Sequence, residues 1–432
     1  MLTNINIFSK KSLLNILISL IPLSLIVGNL IINLNIVLIC LLGLIIYRFE
    51  IFRLNKKKYQ YLIYSFFLYL IFITFFRNFP NLDLNVLFKD HIIKSFLFLR
   101  FFIFFLVINK IVEEGSFNTK LFFISSAFFS FIVAVDILIQ VSNSTNLLGL
   151  PVTLGRPSGF FGEENIAGGY LQKFSFFFIF LGPVILFKSQ NKKIIYIVLS
   201  FVLFFISILL TNNRMPFLIY CASLIIFFFF EKKLRKFFLF YIFLIIIIFF
   251  TAIKSNTIAK DSFNSLFSSV KKITLFAPKL FYHKEIKEEL PFENGYLIVF
   301  NSGVQLWKEN KIFGSGLKSF RINCEYGKNK TCQSHPHNYF IEIMLDTGLI
   351  GLSLIYLIFI FAFFNFLKFY SGNINLQTRL ISMPYFLIFF FEFFPLRSSG
   401  SFFTTTNSIL IFLTLAIIIN IEKINNIEKK LQ

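Results

Sequence analysis

With 432 residues, 56% of them hydrophobic, and a mean hydropathy of +0.76, the chain carries more apolar surface than a soluble core of this length can bury. Its formal charge of +21 is spread over short segments between apolar runs, with no separate basic domain, which argues against a nucleic-acid partner. A lipid bilayer is the solvent this composition specifies. The 68 phenylalanines accompany an excess of Ile, Lys and Asn and a scarcity of Met and Trp, the pattern of A- and T-rich codons. Stripes such as Phe227 to Phe230 therefore read as lipid-facing bulk.

In chain order, hydropathy predicts twelve spans, near 12–31, 33–47, 59–76, 92–110, 120–141, 167–187, 193–210, 216–230, 236–252, 339–367, 379–395 and 405–421. The fold class is thus an all-α integral membrane protein. The first apolar stretch has no small-residue cleavage site behind it and reads as a retained anchor. Basic clusters at Lys10 and Lys11, Arg48 to Lys58, Lys188 to Lys193, Lys232 to Lys236, Lys368 to Arg379 and Lys423 to Lys430 fall on alternate connections. Positive residues stay inside, so both termini are expected in the cytoplasm.

The chain divides into three segments: residues 1–252 with nine spans, a long outward-facing loop at 253–338, and residues 339–432 with three spans and a tail. Within the loop, Phe263, Leu266, Phe267, Val270 and Ile273, and again Val299, Phe300, Gly303, Val304 and Trp307, recur at helical spacing. Two amphipathic helices are expected there, broken by Pro278, Pro291 and Gly314-Ser315-Gly316.

The topology rests on lysines and hydropathy alone, yet it sets the polar clusters on one outer face. The segment Gly155-Arg156-Pro157-Ser158-Gly159 to Asn165 leads into the sixth helix through Gly155, Gly159 and Gly162. Free amides and a guanidinium there suit an anion, although an ordinary turn and helix cap reads equally well. Arg214 follows Thr211-Asn212-Asn213 between two apolar helices, either as a functional charge or as a snorkelling anchor. Two outward arginines fit a diphosphate, because each planar fork donates paired hydrogen bonds.

The most telling constellation is Ser334-His335-Pro336-His337-Asn338-Tyr339-Phe340, followed by Glu342, Asp346, Gly348 and Gly351. A histidine at the end of an outer loop, just before a span, stands where a water-soluble acceptor and a membrane lipid meet, and titrates near neutrality. Gly348 and Gly351 would admit a neighbouring helix or lipid chain, or serve packing only. Cys324 and Cys332 precede the histidines; their spacing fits no zinc pattern, and a disulfide is the preferred reading in an oxidising compartment. Cys40 and Cys221 read as apolar fillers, and His91 and His283 as solvated or interfacial residues without a role. Glu285, Glu288, Glu289 and Glu293 suggest paired carboxylates, but the interleaved Lys284 and Lys287 favour a solvated helix face.

His337-Asn338, nine residues, then Gly348-Leu349-Ile350-Gly351 resembles the H-N-x9-G-x-x-G signature of the O-antigen ligase family. Trp307 to Leu317, with its Gly314-Ser315-Gly316, is similar to the family's stretch before the histidine, and Arg156 to Asn165 to its R-x-S-G-x-F…N motif. Where the family shows Ser-Arg-Gly, this chain has Asn213-Arg214-Met215, so only the arginine carries over.

The resemblance implies transfer of a glycan from an undecaprenyl-diphosphate carrier to an acceptor hydroxyl at the outer leaflet of the bacterial inner membrane, without nucleotide sugar, metal or cofactor. In that scheme His337 is the general base or orients the acceptor, and Arg156 and Arg214 neutralise the leaving diphosphate. His335, Asn338 and Arg397 are further candidates for substrate contact. Direct attack at the anomeric centre implies inversion. Lipid A core is the preferred acceptor; a second lipid-linked chain (a polymerase) or a protein side chain (an oligosaccharyltransferase) are the related alternatives. A transporter or flippase is disfavoured by the few mid-span charges and by a single 86-residue outer loop with no counterpart in the other half.

Overall fold

The computed structural model describes residues 9–423 apart from 55–56, 79–85, 154, 232–234, 236–237, 256–259, 262, 266, 269–270, 272–294, 324–332, 396 and 399. The predicted pair Cys324 and Cys332, the acidic group at 285–293 and His283 lie outside these residues. The helices are α1 Lys10–Ser19, α2 Ile21–Val27, α3 Asn29–Tyr47, α4 Lys58–Asn78, α5 Val86–Glu113, α6 Thr119–Asn143, α7 Ala167–Leu181, α8 Gln190–Leu210, α9 Arg214–Phe230, α10 Phe238–Ser255, α11 Gly295–Glu309, α12 Ser319–Asn323, α13 Tyr339–Ser371, α14 Leu376–Glu392 and α15 Thr405–Ile419. No strand occurs among the described residues.

Among the described residues seven helical segments are long and apolar enough to cross a bilayer: Asn29–Phe52, Lys58–Arg77, His91–Glu113, Thr119–Asn143, Ala167–Leu186, Gln190–Leu210 and Tyr339–Ser371. An eighth is added if α1 and α2 count as one span. The first predicted span is in fact this pair, bent by 47° where Pro22 enters α2. Helices α9 and α15, of 17 and 15 residues, are apolar but short. The chain is an all-α membrane protein.

Helix α15 explains its own length. Every residue from Ser408 to Ile419 is buried, with α3, α5, α13 and α14 packed around it, so its all-round apolar surface meets protein on every side. Polar side chains tie these helices across apolar surroundings. Asn420 Nδ2 donates to Asn109 Oδ1 at 2.8 Å, and Asn365 Nδ2 to the carbonyls of Ile418 and Ile419, each at 3.0 Å.

The phenylalanines correct one expectation. Phe229 does face outward, at 72% exposure, but Phe227 and Phe228 are buried, and rings pack against rings through the interior, as Phe366 does on Phe386 at 4.0 Å. Of the loop helices, α11 buries Val299 and Val304 as its periodicity requires. Phe263, in the partly described segment before it, is buried between Phe217 and Phe249.

One break in a helix gives the loop before the histidines its seat. Gly348, within α13, has φ +64° and ψ −169°, so the helix opens there. A broken helix leaves carbonyls before the break and amides after it without partners. Main chain from Lys311 to Gly316 supplies both: Leu349 and Ile350 N–H donate to the carbonyls of Lys311 (2.9 Å) and Ile312 (3.2 Å). In return Ser315 and Gly316 N–H donate to the carbonyls of Leu345 (3.0 Å) and Asp346 (2.9 Å). A Cβ on Gly314 would stand 2.4 Å from Gly348 N, and one on Gly348 2.2 Å from Ile312 O.

The two glycine motifs are thus each other's docking surface. The predicted opening for a second helix or a lipid at Gly348 is filled by this loop, and at Gly351 by the side chain of Thr347. From the other side, Tyr69 Oη donates to Phe313 O at 2.7 Å, Arg77 Nε to Gly314 O at 3.0 Å, and Leu317 N–H to Thr74 Oγ1 at 2.9 Å. His91 also holds this loop, contrary to the reading of it as solvated: it is buried, with Nδ1 2.7 Å from Leu317 O.

Candidate active site

The histidine segment ends at Asn338, which caps α13: its Oδ1 accepts from Ile341 N–H at 3.0 Å. The same side chain donates through Nδ2 to the carbonyls of Pro395 (2.7 Å) and Arg397 (3.0 Å), joining the start of α13 to the loop after α14. Asn338 is buried and committed to this junction.

His337, immediately before it, holds φ +52°, a left-handed backbone that a non-glycine residue adopts at a cost of order 1 kcal/mol or more. Its Nε2 pairs with Gln333 Oε1. The His335 ring lies 4.2 Å away, centroid to centroid, with Nδ1 2.9 Å from Ser334 Oγ. His335 Nε2 is buried with no hydrogen-bond partner among the described residues. Burial pushes the His335 pKa down to about 4, helped by the charges of His337 and Lys318, so this imidazole is neutral at physiological pH.

Two further carboxylates line the same face of α13 as Asn338, one and two turns below it. Glu342 accepts from Ser401 Oγ and Phe402 N–H, both at 2.6 Å. Asp346 accepts from Lys318 N–H at 2.7 Å, Ser319 N–H at 3.1 Å and Ser319 Oγ at 2.8 Å. Both are buried, and they fasten the 316–319 and 395–402 loops to either side of the histidine segment. Lys318, at φ +58°, brings an ammonium group into this cluster; burial lowers its pKa, with Glu342 opposing. Nothing in the local sequence around Lys318 marks it.

Arg397, expected to meet substrate, is engaged within the protein. It is 9% exposed, with Nη1 3.2 Å from Glu392 Oε1 and 2.9 Å from the Phe391 carbonyl, and its guanidinium lies 5.5 Å from the centre of the Tyr339 ring. Lys173 of α7 reaches the same Glu392 oxygen at 2.8 Å. A buried carboxylate between two cations thus ties α7, the end of α14 and the loop that Asn338 grips.

The loop carrying Arg156 precedes α7 and is pinned to polar residues of α6. Asp136 accepts from Leu147 N–H at 2.9 Å, and Gln140 accepts from Gly159 N–H at 2.7 Å while donating to the carbonyls of Leu150 and Pro151, each at 3.2 Å. Gly159 N–H is therefore taken, and Gly162 N–H donates to Gly159 O at 3.4 Å. The expectation that the amides of Gly159 and Gly162 stand free for an anion is corrected: the Gln140 side chain takes one and a turn takes the other.

The guanidinium is different. Arg156 is half-buried and its side chain makes no hydrogen bond or ion pair among the described residues. Asn212 Nδ2 donates to Gly155 O at 2.9 Å, which sets the turn before Arg214 beside Arg156. Arg214, the first residue of α9, donates from Nη1 to Ser265 Oγ at 2.5 Å. The fold thus brings the two arginine loops together and connects them to the histidine segment through α7 and Lys173. Among the described residues no group of three His, Cys, Asp or Glu side chains is arranged to hold a metal ion.

These features define an all-α membrane protein in which Asn338, Arg397, Glu392 and Lys173 link the histidine segment to α7. Residues 199–356 match the family model described as O-antigen ligase. The matched segment contains Arg214, the Gly314–Gly316 loop, both histidines and the kink at Gly348; Arg156, Lys173, Glu392 and Arg397 lie outside it. No curated protein matches the chain. The match supports an enzyme of ligase or polymerase type, with a lipid-linked glycan and a glycan acceptor as general partners.

Proposed function

We propose that the protein is an inverting glycosyltransferase that moves a glycan from undecaprenyl diphosphate to an acceptor hydroxyl, with lipid A core as the acceptor, at the periplasmic face of the inner membrane. In this reading both termini are cytoplasmic, residues 253–338 form the periplasmic segment, and α9, α10, α14 and α15 complete twelve spans together with the seven longer helices and the bent α1–α2 pair. One observation carries the reading: a histidine pair held rigidly at the start of α13 and joined through Asn338, Arg397, Glu392 and Lys173 to the helix that the Arg156 loop begins.

The acceptor hydroxyl attacks the anomeric carbon while the bond from that carbon to the diphosphate oxygen breaks. The lipid diphosphate leaves with the bonding electrons, and the hydroxyl proton passes to the His337 imidazole. General base catalysis of this kind contributes on the order of 10²–10⁴ in rate. Arg156 and Arg214 neutralise the charge growing on the diphosphate, the largest electrostatic demand of the reaction. His335 stays neutral beside His337 and so adds no second positive charge next to the base. Arg397 serves by position, since its charge is matched by Glu392.

The test is transfer by the purified full-length protein, given the lipid-linked glycan and, separately, lipid A core, a second lipid-linked chain or a protein acceptor. Transfer to lipid A core that disappears in H337A supports the proposal. A second lipid-linked chain as the substrate used makes the protein a polymerase, a protein acceptor makes it an oligosaccharyltransferase, and full activity in H337A removes the mechanism.

A further inference from the structure

The far end of α13 opens into a cavity of about 1150 Å³. Helix rise alone separates it from the kink at Gly348 by roughly 33 Å, so it belongs to the membrane face opposite the histidines. Its walls come from the end of α9, the last turns of α13 and the start of α14. One side is apolar: Phe229 and Phe364 line it and are 72% and 62% exposed, continuous with the lipid-facing surface.

The other side carries three cations from three different segments, Arg235, Lys368 and Arg379, against a single carboxylate, Glu231. That carboxylate is already used. It is 2% exposed, accepts a hydrogen bond from Tyr370 Oη, and stands 4.0 Å from Arg379 Nη1. It thereby fixes Arg379, whose guanidinium lies 5.2 Å from the Tyr370 ring centre and whose buried Nε has no hydrogen-bond partner among the described residues. Arg235 donates to the carbonyls of Phe228 (3.1 Å) and Phe229 (2.6 Å), closing the end of α9. Lys368 is exposed and pairs with no carboxylate among the described residues.

Positive charge in excess, an orphaned guanidinium donor, and an apolar wall on the lipid side describe an amphiphile with an anionic head. We propose that this cavity binds the phosphodiester headgroup of an anionic phospholipid, with Arg235, Lys368 and Arg379 around the phosphate and Phe229 and Phe364 along an acyl chain. Basic pockets between transmembrane helices recognise such headgroups. A free phosphate satisfies the cations but leaves the aromatic wall unused, and a zwitterionic lipid brings its own cation into an already positive site.

The test is native mass spectrometry of the full-length protein in detergent, titrated separately with phosphatidylglycerol, phosphatidylcholine and inorganic phosphate. Phosphatidylglycerol should bind in preference to the other two. Each cation removed should weaken it about five-fold, so R235Q/K368Q binds roughly 25-fold more weakly. K368Q alone, at an exposed position, keeps the fold intact and should still lose about five-fold, which decides the matter should the double variant misfold. Equal binding of both lipids, unchanged binding in K368Q, or inorganic phosphate binding as tightly as phosphatidylglycerol would each overturn the proposal.

Discussion

The two ends of α13 treat charge in opposite ways. At its start, Glu342 and Asp346 are buried and accept hydrogen bonds from hydroxyls and amides, and Glu392 is buried with one oxygen close to both Lys173 and Arg397, so the charged groups there fix loops in place. At its end, three cations surround one carboxylate beside an open cavity, and their charge is left for something else. Matched buried charge builds shape, whereas unmatched charge at a rim recruits a ligand. The half-exposed histidine pair sits on the first kind of scaffold, which suits chemistry that depends on positioning.

The sharpest way to break that comparison is to remove the group the scaffold holds. H337A is expected to lower transfer by at least 100-fold while membrane insertion and unfolding temperature stay unchanged, as measured by product formation and by thermal denaturation in detergent. E392Q attacks the scaffold itself. Leaving Lys173 and Arg397 buried without their counter-charge should cost about 3–5 kcal/mol of stability and loosen the loop that Asn338 grips. Unchanged thermal denaturation in E392Q would show that the buried ion triad holds nothing.

Next in size, G348A must adopt φ +64° and bring a methyl group against the Ile312 carbonyl. A loss of about 1–3 kcal/mol is expected from the backbone alone. The same loss from G314A would confirm that the two glycines form one joint, and a neutral G314A would separate them. R156Q should raise the KM for the lipid-linked donor about ten-fold, with R156K recovering only part, because a single ammonium cannot reproduce the paired donors of a guanidinium. A donor KM untouched by R156Q would place the diphosphate elsewhere.

The smallest effect is one of pH. His335 is held neutral in the folded protein down to about pH 4, whereas the unfolded chain takes up the proton near 6.5. The unfolded state therefore binds more protons between those values, and the contribution of His335 to stability is complete above pH 6.5 and lost as pH falls toward 4. H335Q should flatten this part of the stability profile. An identical profile in the variant would mean that the ring is solvated in the folded protein.

How much of this the sequence discloses depends on how local the cause is. Long apolar runs and the histidine motif are written in consecutive residues, so the membrane class and His337 are legible directly. Arg397 is legible only as an isolated arginine. Lys173, the second cation on its counter-ion Glu392, lies more than two hundred positions earlier, and a lone buried charge looks like any flanking cation until the helices are packed. Lys318 and His91 are hidden for the same reason. The glycines show the converse: their spacing is visible, but only the fold reveals that Gly314 fits into the break at Gly348, and that Gly159 and Gly162 spend their amides on the Gln140 side chain and on a turn. Pro22 in the first turn of α2 is visible too, yet the 47° bend it accompanies depends on what the two pieces pack against.

Helix α15 comes after every helix that encloses it, and its Phe412 fits among Phe67, Phe98, Phe101 and Phe402. The helices around it share one slot, and that slot is filled by a segment too short to hold a secure place in the bilayer by itself.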